Sequence, residues 1–159
     1  MKTFDLRISR GDIVLRAKDD TYLSARSALA VELSNQDGRY EMQADERATH
    51  ERKLLQSVND AVSGLKAELN EYLVSGNVDE EKDEVALTVS IYDGFRSERE
   101  NVIKVLFANY IAKRVISEWW KANYPSFAPQ YDELTLQALA ELKRAFYYKG
   151  EAELKKFGI

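Results

Sequence analysis

Apolar residues recur along this chain with two different periods, and each period marks a different kind of element. Phe4, Leu6 and Ile8 alternate with Asp5 and Arg7, the two-residue repeat of a half-buried strand. Ser9 follows as a candidate helix cap, with Asp12 in the first turn and Ile8 and Ile13 spaced to close a hydrophobic staple. The pattern predicts a helix from about Arg10 into the alanine-rich stretch that ends at Val31. A hairpin, turning through 9–12 into a second strand over 13–17, is the competing reading.

A turn rich in Ser, Asn, Asp and Gly at 33–40 separates this unit from the next. From about Asp45 to Leu73, the residues Leu54, Val58, Ala61, Val62, Leu65, Leu69, Tyr72 and Leu73 fall at spacings of three and four, which predicts an amphipathic helix. Gly64 interrupts it at a cost of about 1 kcal/mol, which a packed face outweighs. Residues 75–84 read as a turn followed by clustered carboxylates, and Val85, Leu87, Val89 and Ile91 then alternate as the clearest strand. That strand needs a mate for its ladder groups, either 4–8 of the same chain or an equivalent strand on a neighbouring subunit.

Ser97 and Glu100 form a capping box ahead of the longest apolar run. Nearly every side chain from Val102 to Ala108 is apolar, so this helix is expected to be covered all round. Trp119 continues the stripe of Phe107, Ile111 and Val115, while Trp120 points about 100° away. Pro125 stops the helix, Pro129 keeps the linker extended, and a last helix is expected over 132–148 with Leu134, Ala138, Leu139, Leu142, Ala145 and Phe146 inward. The sum is a mainly α, roughly four-helix bundle-like single domain, 1–159, with one or two short strands at 4–8 and 85–91.

Composition narrows the class. A chain with 45% hydrophobic and 31% charged residues is an ordinary globular mixture. No stretch approaches the roughly 20 apolar residues that span a bilayer, and the first residues lack a signal-type apolar core, so no membrane association is expected. The absence of cysteine closes thiolate and iron-sulfur chemistry, and a net charge of -4 argues against specific nucleic-acid recognition. The single histidine, His50, has no triad or ligand pattern around it and reads as a solvated helix residue. No phosphate-binding glycine motif appears, and the acidic run lacks the ligand order of a calcium loop. No catalytic, cofactor-binding or metal-binding residue is therefore assigned, and the chain is not expected to be an enzyme.

The aromatic residues carry more information. Trp119, Phe127 and Tyr131 are expected to plug the corner between the last two helices, which leaves other large rings to account for. The candidate subunit contacts are Trp120, Tyr124, Phe127, Tyr147, Tyr148 and Lys149, with Val89 and Ile91 of the lone strand; the alternative is that the same rings fill the core.

The order of parts resembles the head-tail connector (adaptor) proteins, small virion structural proteins of tailed phages and prophages of gut bacteria. The likeness rests on Thr21 and Tyr22 in the first helix, on Ser117 to Trp120, and on Arg144, Tyr147, Tyr148 and Lys149 at the end of the last helix. It departs after Gly150, where "EAELKKFGI" replaces a basic, Pro-containing tail. The resemblance implies a protein without catalysis, made in the bacterial cytoplasm, that assembles with itself as a ring in the virion neck. There it would join portal to tail and neck proteins and let DNA pass. Asp79, Glu80, Glu81, Asp83 and Glu84 would then face the lumen. A small helical interaction or scaffolding module is the alternative.

Overall fold

The computed structural model describes residues 2–32, 48–79, 82–91, 95 and 97–147, with the side chains of 24–32, 48 and 77 outside that description. Strand β1, Lys2–Ser9, runs directly into helix α1, Arg10–Glu32. The Asp12 amide donates to Ser9 Oγ at 3.3 Å, so the serine caps the helix and the hairpin reading falls away. Helix α2 covers Ala48–Glu68, strand β2 Leu73–Asp79, strand β3 Glu84–Ile91 and helix α3 Ser97–Asn123. A 3-10 turn, Pro125–Phe127, leads into helix α4, Ala128–Tyr147.

The chain is predominantly helical, but it is not a four-helix bundle. The described strands form an antiparallel sheet in the order β1-β3-β2, and this corrects the bundle-like expectation. β3 is the central strand, with Val89 opposite Phe4 and Leu87 opposite Leu6 on one side, and Val78 opposite Val85 on the other. Its ladder groups are therefore paired within the chain, not by a neighbouring subunit.

β2 is the element that periodicity misassigned. Leu69, Tyr72 and Leu73 keep helical spacing, yet α2 ends at Glu68 and a turn held by the Tyr72 and Leu73 amides on the Leu69 carbonyl redirects the chain into the sheet. Tyr72 still turns inward because it stacks on Phe146 of α4, with ring centres 4.7 Å apart. Gly76 lies in the 75–84 stretch that composition reads as a turn, yet it belongs to strand β2. Here it lets β2 approach β3, since a Cβ would stand 2.4 Å from Leu87 Cδ2 and 2.9 Å from Ala86 O. The bulge between Leu73 and Ser75 leaves Val74 outside at 58% exposure.

One face of the sheet carries Phe4, Leu6, Val85, Leu87, Val89 and Ile91 into a core shared with Leu54, Val58, Val62 and Leu65 of α2 and Ile103, Phe107, Ile111 and Val115 of α3. The opposite face is polar: Asp5 accepts a hydrogen bond from Thr88 Oγ1 at 2.8 Å, and Arg7 faces Glu84. Helix α3 is not covered all round, because Val102 and Val105 remain 41% and 60% exposed. α4 begins earlier than expected. Pro129 lies in its first turn, where a missing amide costs nothing, so it starts the helix rather than extending a linker. Thr135, Ala138, Leu142, Ala145 and Phe146 face inward, and Leu134 belongs to the outer side.

Candidate interaction surface

The α3-α4 corner is built from the backbone outward. The Tyr124 amide closes the last turn of α3 on the Trp120 carbonyl at 2.8 Å, and Asn123 Nδ2 donates to the Trp119 carbonyl at 2.9 Å. Pro125 then forces the turn, and the Phe127 amide bonds the Tyr124 carbonyl at 3.1 Å. These constraints fold Phe127 edge-on to Trp120 at 5.0 Å and to Tyr124 at 4.6 Å, with Tyr131 6.0 Å from Trp120. Trp120 is fully buried there, although its indole N–H has no acceptor among the described residues.

The roles expected of the two tryptophans are thus exchanged. Trp120 plugs the corner, whereas Trp119 faces α2 and meets His50 edge-on at 4.8 Å. His50 is accordingly half-buried rather than solvated. Trp120, Val89 and Ile91 are at most 2% exposed and leave the set of surface candidates, because the chain's own core uses them. Tyr124 and Phe127 are shared, packed against the core without being fully covered.

Tyr147 is 59% exposed and keeps its place at the surface. Its ring lies edge-on to Tyr72 at 5.6 Å and its hydroxyl donates to Glu71 Oε2 at 3.4 Å. Burial, then the Tyr147 contact, pushes the Tyr72 hydroxyl far above the ordinary phenol range. Lys143 beside it is held high by its bond to Glu68. Tyr148, Lys149, Glu80 and Glu81 lie outside the described residues.

Of the acidic stretch, Asp79 ends β2, Glu84 begins β3, and Asp83 directly precedes it. Asp79 Oδ1 accepts the Lys82 amide at 3.2 Å, and Asp83 takes a left-handed φ of 52°. The Asp83 carbonyl accepts the Arg10 amide at 2.9 Å, and its carboxylate lies 3.6 Å from the buried Arg10 guanidinium. Glu84 faces Arg7 at 3.4 Å. Asp83 and Glu84 are thereby clamped onto the β1-α1 junction. Sequence reasoning missed this clamp, because the partners are more than 70 positions apart.

It also missed the exposed aliphatic side chains. Leu15 and Leu23 on α1, Val105 on α3 and Leu136 on α4 are 58%, 57%, 60% and 67% exposed. The signal was available for Leu136, which falls off the inward stripe of α4. Among the described residues, two open clefts of about 260 Å³ each have mixed polar and apolar linings, one around Arg7, Ser9 and Lys82, the other around Lys53, Gln56, Glu118 and Trp119. Among the described residues, no acidic or histidine cluster is placed to hold a metal ion and no helix is long and apolar enough to cross a membrane.

Of the residues that carry the family resemblance, Thr21 is buried, with its hydroxyl bonded to the Lys18 carbonyl at 3.1 Å, and Tyr22 is 39% exposed. No protein-family model, curated protein or solved structure matches the chain.

Proposed function

We propose that this chain is a structural subunit that works through protein-protein contact, and that its specific role is in the ring joining portal to tail at the neck of a tailed phage. The observation that carries the contact role is the set of large aliphatic side chains standing more than half exposed on regular helices, Leu15, Leu23, Val105 and Leu136. A single exposed leucine is unremarkable on any protein. Repeated on three rigid helices, such side chains offer preformed apolar contacts of the kind that heterologous ring interfaces cover. The neck assignment is supported by the resemblance at Thr21, Tyr22, Ser117 to Trp120, Arg144 and Tyr147, and it does not draw on an unpaired strand or an exposed Trp120.

In this reading Asp79, Asp83 and Glu84 border the DNA channel. Asp83 and Glu84 are already engaged by Arg10 and Arg7, so the repulsive field of such a lumen is weaker than five free carboxylates would give. The test is mass spectrometry of purified phage particles, with localisation by electron microscopy of the neck. The chain is expected in a fixed ratio to portal. Its absence from particles, combined with flanking genes that encode no portal, capsid or tail protein, overturns the neck assignment. Partner binding without incorporation makes it a scaffolding module.

A further inference from the structure

Among the described strands β1 lies at the edge of the sheet, and none of the described residues pairs with its outer side. The two outer strands among the described residues differ. β2 is broken by the bulge at Val74 and by Gly76, features that discourage strand addition, whereas Lys2–Ser9 is eight residues without Gly, Pro or bulge. An ion pair from Lys2 to Glu100 at 2.6 Å ties down its start, and the capped first turn of α1 fixes its end. Between them Thr3, Asp5 and Arg7 are exposed on the polar face, with the Arg7 side chain 59% open although it touches Asp5 at 3.2 Å and Glu84 at 3.4 Å.

We propose that this edge pairs with β1 of a second copy of the chain, antiparallel about a two-fold axis through Leu6, so that the sheets of the two copies become one continuous sheet. The sequence of β1 is self-complementary in that register. Asp5 stands opposite Arg7 of the second copy and Arg7 opposite its Asp5. Phe4 faces Ile8 on the apolar side, and Thr3 faces Ser9 on the polar side. A slip of one residue turns the Phe4, Leu6 and Ile8 face toward the polar side. A slip of two places Asp5 opposite Asp5, or Arg7 opposite Arg7, which cross-strand pairing penalises. Charge and polarity thus select one register, and the contact is isologous. The pairing goes beyond the neck assignment and does not rest on it.

The experiment is sedimentation equilibrium over a wide concentration range on the full chain, its Asp5→Arg and Arg7→Asp variants, and their equimolar mixture. Each reversal alone opposes like charges at both cross-strand positions and is expected to weaken self-association by roughly tenfold or more. The mixture restores both unlike pairs, so it should form a one-to-one dimer as tightly as the wild type. Hydrogen exchange on the unaltered protein provides a readout free of substitutions: β1 amides should gain protection as concentration rises. A wild-type chain that stays monomeric throughout, a dimer indifferent to both reversals, or β1 amides whose exchange does not change on dimerisation would each overturn the proposal.

Discussion

Gly76 and Gly64 look alike in the sequence, and their surroundings give them opposite consequences. A methyl group at 76 would press on the Ala86 carbonyl and Leu87 Cα at 2.9 Å, atoms that cannot retreat without parting β2 from β3. Gly76→Ala is therefore expected to cost about 1–3 kcal/mol, the range of overpacking in a tight site. At Gly64, on the exposed side of α2, nothing lies within 4 Å of the added carbon. Gly64→Ala should gain about 1 kcal/mol from helix propensity alone. Urea unfolding of both variants checks the pair, with the midpoint falling for one and rising for the other while the slope stays constant.

Between elements, the joint of α3 and α4 is fastened by Ser117, which is buried and donates to Asp132 Oδ1. That bond, then Lys121 at 3.1 Å, holds the Asp132 carboxyl below its ordinary value. A depressed carboxylate contributes stability that is complete above the unfolded value of about 3.9 and is lost as pH falls through the folded one. Ser117→Ala should thus lower stability at neutral pH by about 1 kcal/mol, a modest figure because the Asp132 side chain is 43% exposed. The gap from wild type should narrow below about pH 4, as thermal melts across that range would show. How far such joints were legible depended on locality. The capped start of α1 and the Pro125 stop follow from neighbouring residues, and the chain order reveals them. The swap of Trp119 and Trp120, and the hold of Arg10 on Asp83, depend on partners brought in by the fold. β2 was hidden for a further reason: Leu69, Tyr72 and Leu73 satisfy a helical period while serving a turn, a ring stack and a strand.

On the scale of the whole molecule, the chain keeps its central strand and both tryptophans inside and leaves aliphatic residues on α1, α3 and α4 outside. Hydrophobic area that a monomer retains without structural need is removable at little cost to the fold. Val105→Asp together with Leu136→Asp should shift the unfolding free energy by no more than about 0.5 kcal/mol for each site, since both side chains are more than half in water already. An assembly that buries them faces a different outcome, because two carboxylates would have to be desolvated without partners. Neither position lies on β1, so two-copy association through that edge is expected to survive the double variant. Under the proposed neck role, incorporation into particles in a complementation assay should collapse. Normal incorporation by a double variant that folds and dimerises as before would show that these side chains touch nothing in the particle, and the exposed helices would lose their claim to be an assembly face.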